Sequence, residues 1–226
     1  MAHVGPDNIP IVTACYEPYA ESMDITTVGE LEELLGSPMP RALAKERDRL
    51  KQTDLDWLAL SPFVLVGTSD ASGNCDVSPK GDPPGFIHVI DDRTIAIPER
   101  PGNRRGDGYH NILANPHVGL LVLVPGRRET LRINGRARLV SDAPWFDAMV
   151  VDGHRPIMAI VVDIDTIFFH CQKAFMRSKL WKQDTWTPDA LPSHAKLVKS
   201  VQDTAETVDE LEAYYAEDRY RQGLYA

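Results

Sequence analysis

The stretch from residue 62 to residue 170 constrains the fold more than any other part of the chain. It consists of short runs of β-branched and aromatic residues, separated by turns rich in Gly, Pro, Asn and Asp. Runs of this kind predict strands. We expect at least seven of them, drawn from residues 63–68, 75–79, 86–90, 94–97, 117–124, 130–140, 156–165 and 167–170.

Only two short helical segments interrupt these runs, one near residues 107–113 and one near 142–150. A parallel sheet would need a crossover helix after nearly every strand. The chain is therefore predicted to form an antiparallel barrel or sandwich. Helices on both sides of it make the fold class mainly β with flanking helices, α+β.

A helix is predicted near the start of the chain, over residues 24–35, where apolar side chains recur at helical spacing. Thr26 or Thr27 serves as its N-cap, with Glu30 placed to complete a capping box. Gly36 is its expected C-cap.

A second helix is expected over residues 41–50, because Pro40 suits a first-turn position, and a third over residues 54–58. After residue 173 the chain becomes helical again. An apolar stripe between residues 194 and 220, broken near 204–207, is expected to pack in the core or in a dimer contact. These predicted helices and strands divide the chain into a helical N-terminal extension (1–55), a barrel domain (56–185) and a helical tail (186–226).

The overall charge excludes several functions. The net charge is −9 and the isoelectric point is about 5.2, which is the wrong sign for a general nucleic-acid binder. No apolar run approaches the roughly 20 residues that cross a bilayer, and the N-terminal residues lack the pattern of a secretory signal. Three widely spaced cysteines give neither a disulfide framework nor a zinc motif. We therefore expect a cytoplasmic protein without nucleic-acid, membrane or metal partners.

Basic residues gather in loops against this acidic background. The segment 99–107 carries Arg100, Arg104 and Arg105 in a Pro/Gly-rich turn that leads into a helix. Guanidinium groups match phosphate oxygens, and a helix N-terminus adds N–H donors. The segment is a candidate phosphate site, and the alternative is that its arginines pair with nearby carboxylates on the surface.

A second candidate is the turn at residues 78–85, where Lys80 ends a strand and can present one cation into a cleft. The alternative is a simple connector with a solvated lysine.

Nucleophilic and metal motifs are missing from the sequence: GxSxG, HExxH, P-loop and GxGxxG patterns do not occur. His88 and His170 lie in strand patterns, which favours a sheet role for both. Cys171 adjoins His170, but no third ligand has suitable spacing. No hydrolytic or metal mechanism follows.

The run from residue 76 to residue 135 resembles the pyridoxamine-phosphate-oxidase-like, FMN-binding split-barrel flavoproteins, and the resemblance extends over about residues 55–185. The order and spacing of the pieces are more specific than any one piece. They are VSPKGD (77–82), IAIP (95–98), PGNRR (101–105), NILANP (111–116) and LRINGRA (131–137), and CQKAFMRSKLW (171–181) recurs in an uncharacterised bacterial subgroup.

This resemblance implies a six-stranded antiparallel split barrel that forms a homodimer, with one FMN in each of two clefts at the interface. It places Lys80 and Arg104 with Arg105 around the phosphate and leaves open which of the two arginines holds it. It makes Arg132, Lys173, Ser178 and Trp181 candidates to reach the cofactor from the same or the partner subunit. As a separate hypothesis from placement, Lys80 or Lys173 supplies a cation near the flavin N1. The implied cofactor-binding residues are Ser78, Lys80, Gly81, Ile97, Asn103, Arg104, Arg105, Arg132, Lys173, Ser178 and Trp181. Catalytic residues remain unassigned.

The chain departs from the vitamin B6 oxidases at its end. Residues 220–226 lack the Trp-x-x-x-Arg-Leu-x-Pro segment of those enzymes, so vitamin B6 oxidation is not expected. The first hypothesis is an FMN-dependent oxidoreductase acting on a small organic molecule, heterocyclic or aromatic. The alternatives are a non-catalytic flavin carrier or sensor, and a haem- or deazaflavin-binding protein, because one fold serves many reactions.

Four aromatic residues are candidates to wall the pocket. Trp57, Phe86, Tyr109 and Trp181 lie in the region of resemblance or next to it. The alternative for each is a place in the barrel core or an interface, where large aromatic side chains usually pack.

Overall fold

A single antiparallel sheet dominates the computed structural model, which describes residues 23–225. Every strand pairs antiparallel with its neighbours, in the order β2-β1-β5-β6-β7-β4-β3, and the sheet curls into a half-barrel. The strands are β1 (Phe63–Ser69), β2 (Cys75–Gly81), β3 (His88–Val89), β4 (Thr94–Glu99), β5 (His117–Leu123), β6 (Thr130–Val140) and β7 (Met158–His170). The predicted fold class is confirmed. The seventh strand, additional to the six that the resemblance implies, is the two-residue β3.

Helices precede, interrupt and follow the strands along the chain. They are α1 (Val28–Leu35), α2 (Pro40–Leu43), α3 (Gln52–Leu60), α4 (Asp107–Ala114), α5 (Lys173–Ser178), α6 (His194–Val201), α7 (Val208–Tyr215) and α8 (Glu217–Gln222). Short 3-10 helices span Pro144–Met149, Gln183–Thr185 and Pro188–Ala190. Within the described part of the chain, no helix has the length and apolarity needed to cross a membrane.

The main core lies on the inner face of the sheet. Alternate residues of β1, including Val64 and Val66, are buried, while those between them are half-buried on the outer face. This alternation follows from the period-2 geometry of a strand. In β4, Ile95 and Ile97 belong to the main core, whereas Ala96 packs on the opposite face in a second cluster around Phe146.

The helix predicted over residues 41–50 is wrong, because α2 ends at Leu43. The following backbone is recruited by the sheet instead. The Arg47 N–H donates to the Ile167 carbonyl (3.1 Å), and the Ile167 N–H donates back to Arg47 (2.8 Å). The Leu50 N–H donates to the Asp92 carbonyl at 2.7 Å. Hydrogen bonds to distant segments thus replace the helical ones that the local pattern indicates.

Two strand boundaries also differ from the prediction. Only His88 and Val89 of the predicted strand 86–90 pair with β4, and Phe86 and Ile87 are buried in the core instead.

The predicted strands 156–165 and 167–170 are one continuous strand, β7. Strand β6 pairs with both halves of β7. A register shift between Asn134 and Gly135 accommodates the irregularity between the two halves. The helix predicted over 142–150 is a 3-10 helix, Pro144–Met149, which buries Phe146 and Met149.

The N-terminal helix is confirmed, with its cap at Thr27. The Glu30 N–H donates to the Thr27 hydroxyl (3.3 Å), the Thr27 N–H donates to the Glu30 carboxylate (2.9 Å), and Gly36 ends the helix at φ 71°. None of its residues is buried. The first 22 residues of the predicted extension lie outside the described residues, and the domain boundaries stay a prediction.

The C-terminal segment forms three helices, and the predicted break near 204–207 falls between α6 and α7. Only part of the predicted apolar stripe packs. Ala195, Val198 and Leu211 form a small buried cluster, whereas Val201 is exposed.

Candidate functional site

A cleft of about 1110 Å³ opens between three parts of the chain: strand β2, the loop that joins β4 to α4, and the C-terminal helices α7 and α8. Small-molecule sites are usually clefts of about 300–1,000 Å³. The space is therefore large enough for a cofactor together with a small substrate.

Strand β2 supplies the first wall. Its residues Asp76, Ser78 and Lys80 alternate toward the cleft, and the residues between them face outward and are exposed. Helix α4 approaches this strand closely, because a Cβ atom at Gly108 would lie 3.1 Å from the Asp76 carboxylate. A glycine in the first turn of α4 is thus what allows the helix to close this side of the cleft.

Lys80 bridges the edge strand β2 to strand β4. Its Nζ lies 2.7 Å from the Glu99 carboxylate, donates to the Tyr109 hydroxyl, and sits 4.7 Å from the centre of the Tyr109 ring. Lys80 and Glu99 are mostly buried, so this pair is only weakly screened by solvent. Burial, followed by the Glu99 carboxylate, raises the pKa of Tyr109 far above its usual value. Tyr109 is consequently a neutral hydroxyl near neutral pH.

The three arginines of the loop have three different roles. Arg100 is buried in an ion pair with Asp82 (2.7 Å) and donates to the Met149 carbonyl (2.7 Å), which makes it a structural anchor. Arg105 pairs with the exposed Asp107. Arg104 is exposed and makes no ion pair with any residue between 23 and 225.

The backbone around Arg104 is unusual. Arg104 has φ 61° and Gly106, the N-cap of α4, has φ 70°, both in the left-handed region. The Asn103 side chain stabilises the turn by accepting a hydrogen bond from the Arg105 N–H (3.0 Å). The first N–H groups of a helix have no partner within the helix. Arg104 and this helix end therefore offer positive charge and N–H donors at one end of the cleft.

The cleft brings together five of the predicted cofactor-binding residues: Ser78, Lys80, Asn103, Arg104 and Arg105. The other six lie elsewhere in this chain. Gly81 faces the Pro62 carbonyl, and Ile97 is fully buried in the core.

Arg132 lies on the outer face of β6, 5.6 Å from the centre of the Phe168 ring. Lys173 and Ser178 belong to α5, and the Trp181 indole donates to the Arg127 carbonyl (2.6 Å) at the β5–β6 turn. Whether these four residues reach a cofactor from a partner subunit stays a prediction.

Of the four aromatic candidates, Tyr109 lines the cleft, while Trp57 and Phe86 are buried in the core. The fourth, Trp181, stacks on Phe175 with ring centres 5.9 Å apart.

Sequence reasoning missed the wall that the C-terminus supplies. Tyr214, Arg219, Tyr220 and Leu224 all line the cleft, more than 100 residues from the rest of its lining on β2 and the β4–α4 loop. No spacing in the sequence relates them to those segments. The only available signal was the concentration of tyrosine and arginine near the end of the chain.

Comparison with known proteins identifies the family. A family model described as pyridoxamine 5'-phosphate oxidase matches residues 50–171, which include the sheet and the first two walls of the cleft. The chain belongs to this family. The family match confirms the resemblance found in the sequence. No curated protein matches the chain.

Several solved structures are similar to the barrel. HupZ of Group A Streptococcus is 20% identical over 53% of this chain and 93% of its own, with a TM-score of 0.44. The General Stress Protein 26 of Bacillus anthracis is 14% identical, over 52% and 91%, with a TM-score of 0.39. An FMN-binding protein of Syntrophomonas wolfei is 14% identical, over 52% and 81%, with a TM-score of 0.40. The assignment rests on the family model.

Proposed function

We propose that this member of the pyridoxamine 5'-phosphate oxidase family is an FMN-dependent oxidoreductase that acts on a small organic substrate. The observation that carries the proposal is the exposed Arg104, without a carboxylate partner between residues 23 and 225, at the helix end that closes the cleft. A phosphate group there would satisfy a guanidinium and the N–H groups of α4 together.

The remaining residues of the cleft fit a flavin. Ser78 offers a hydroxyl from β2, and the neutral Tyr109 offers a second one beside Lys80. The Lys80–Glu99 pair holds these groups in place across the gap between the strands. When bound, FMN would supply the electron or hydride transfer, and the protein would orient the flavin and exclude water.

Lys80 is also the residue that we expect to tune the flavin. Its ammonium lies inside the cleft, although Glu99 offsets part of its charge. A cation near N1 stabilises the reduced anionic ring, so Lys80→Met should lower the midpoint potential of the bound flavin. Lys173→Met tests the alternative position in α5. A potential that neither substitution changes would remove this role from both lysines.

The first experiment is a visible absorption spectrum of the purified protein, before and after FMN is added and the unbound fraction removed. We expect the two bands of oxidised flavin and one FMN per chain. Arg104→Ala should weaken FMN binding by about 10- to 100-fold, since a hydrogen bond to a charged group contributes about 1.5–3 kcal/mol. Arg128→Ala is the matched control, because Arg128 is also exposed in a turn but lies outside the cleft.

The other hypotheses give different results. Bound flavin that NADH, NADPH and other donors fail to reduce would indicate a carrier or sensor. A Soret band would indicate haem. A protein that retains no FMN but binds a deazaflavin would exclude the FMN assignment.

The predicted homodimer adds a further test of the proposal. If a partner completes the cleft, Arg132→Ala on the outer face of β6 should weaken FMN binding without changing the fold of the monomer. Analytical ultracentrifugation of the same samples reports the oligomeric state. A monomer that binds FMN with full affinity would contradict the proposed interface site.

A further inference from the structure

The C-terminal wall gives the cleft a second binding region, distinct from the Arg104 end. Tyr214 at the end of α7 and Arg219 and Tyr220 in α8 line the cleft opposite strand β2. Their side chains include two half-exposed phenol rings, Tyr214 at 50% and Tyr220 at 54% exposure. The wall therefore combines aromatic surface with a guanidinium.

This wall is held in place by contacts with the barrel. The Tyr225 hydroxyl donates to the Asp82 carboxylate at 2.8 Å, and its ring lies 6.0 Å from His154 and 5.4 Å from the Arg100 guanidinium. Asp82 and Arg100 form the buried ion pair at the edge of the cleft. On the other side, Leu211 of α7 packs against α6. Both ends of the segment are thus fixed.

The cations that line the cleft within residues 23–225 are unevenly matched, and of its lining carboxylates Asp76 forms no ion pair in that range. Of its five cationic lining residues, three are neutralised: Lys80 by Glu99, Arg100 by Asp82, and Arg105 by Asp107. Arg104 and Arg219 are the two whose guanidinium groups form no ion pair within residues 23–225. One unpaired cation is accounted for by the phosphate of the proposed cofactor. The second is left for another anion.

Arg219 is oriented by an aromatic ring. Its guanidinium carbon lies 5.2 Å from the centre of the Tyr214 ring. Such a contact leaves the N–H edge of a guanidinium available for the two oxygens of a carboxylate. An aromatic ring in the same ligand can contact the half-exposed phenol groups.

We propose that Arg219, with Tyr214 and Tyr220, forms the substrate subsite of the cleft and that it selects small aromatic carboxylates. This inference rests on the proposed function, because the flavin would supply the reacting group next to this subsite. Nothing in it requires a residue of a partner subunit.

The test uses benzoate and its neutral analogue benzamide with the 226-residue chain. Binding to FMN-loaded protein is followed by the change in flavin absorbance, and binding to FMN-free protein by titration calorimetry. We expect benzoate to bind at least about tenfold more tightly than benzamide, because only benzoate can pair with the guanidinium. Arg219→Gln should remove this preference and leave the FMN affinity unchanged.

Arg221→Gln is the matched control. Arg221 lies in the same helix but pairs with Glu217 and does not line the cleft, so its substitution should leave benzoate binding unchanged. Tyr214→Leu should weaken the binding of both probes, since it removes ring contact but no charge. Circular dichroism verifies that each variant is folded.

Three results with the two probes would overturn the inference: equal affinity for benzoate and benzamide, benzoate affinity unchanged in Arg219→Gln, or no binding of either probe by the wild type. A loss of FMN affinity in Arg219→Gln would assign Arg219 to the cofactor instead. Failure of the proposed function would be recognised separately, because a protein that never binds FMN can still be titrated with both probes by calorimetry.

Discussion

Helices α1 and α7 begin with nearly the same sequence, yet they have different places in the molecule. Both start Thr-Val-x-Glu-Leu-Glu, and both form a complete capping box, Thr27 with Glu30 and Thr207 with Glu210. The leucine at the same position of the motif is 42% exposed in α1 (Leu31) and 6% exposed in α7 (Leu211).

The difference shows that a capping box determines where a helix starts but not whether it packs. In α7, the partner helix α6 supplies Ala195 and Val198 to cover the leucine. In α1, no residue is buried. Since buried apolar area is the dominant source of stability, equal local sequences make unequal contributions to the fold.

The largest effect on stability is expected from Gly135→Ala in β6, compared with Gly119→Ala in the neighbouring strand β5. A Cβ atom at Gly135 would lie 2.2 Å from the Asp163 carbonyl oxygen, whereas one at Gly119 would meet only the Asn134 side chain, at 3.5 Å. Gly135→Ala should therefore lower the free energy of unfolding by about 3 kcal/mol or more, and Gly119→Ala by less than about 1 kcal/mol. Denaturant titration measures both. Equal losses would contradict the backbone clash.

The next effect concerns two aspartates of helix α3. Asp54 is fully buried, pairs with Arg47 through both carboxylate oxygens, and accepts a hydrogen bond from the Lys51 N–H (2.8 Å). Asp54→Ala should cost about 2–4 kcal/mol of unfolding free energy, because the guanidinium and the N–H lose their partner. Asp56→Ala, at an exposed site of the same helix, should change it by at most about 0.5 kcal/mol. Similar midpoints for the two variants would exclude a role for the buried pair.

The leucines of α1 and α7 test the comparison directly. Leu211→Ala should destabilise the C-terminal segment by about 2 kcal/mol, the lower end of the range for buried leucines, because its cluster is small. Leu31→Ala should leave the free energy of unfolding unchanged within about 0.5 kcal/mol. Hydrogen exchange of the α6 and α7 amides reports the first change, and denaturant unfolding the second. A large effect of Leu31→Ala would mean that α1 packs against a surface other than residues 23–225 of the same chain.

The smallest effect is expected from a histidine. Burial lowers the pKa of His88, which stacks on Trp145 with ring centres 5.7 Å apart. The unfolded state therefore takes up a proton at a higher pH than the folded state does. Stability contributed by neutral His88 is present above the usual histidine pKa of about 6.5 and is lost as the pH falls below it.

His88→Gln should accordingly reduce the loss of stability between about pH 7.5 and pH 5.5, measured by urea titration at both values. His110→Gln, at an exposed position in α4, is the control. An unchanged pH dependence in His88→Gln would assign the acid sensitivity to other groups.

Much of the barrel follows from the sequence. The alternation of β1, the turns that end each strand and the antiparallel pairing are local properties of β-branched runs and of Gly, Pro, Asn and Asp. The helix predicted wrongly over 41–50 shows where prediction from local sequence fails. Its local pattern is helical, but Arg47 pairs with Ile167, 120 residues away in the chain.

The candidate site, like the barrel, was predicted from the sequence only in part. The sequence by itself determined that arginines gather in a Pro/Gly-rich loop before a helix, and the family match agrees with the motifs found there. Only the tertiary structure decided that Lys80 and Arg100 have carboxylate partners while Arg104 and Arg219 have none within residues 23–225. The physical reason is that ion pairing and burial depend on groups brought together by folding. The bond from Tyr225 to Asp82, across 143 positions of the chain, shows that no local pattern can specify them.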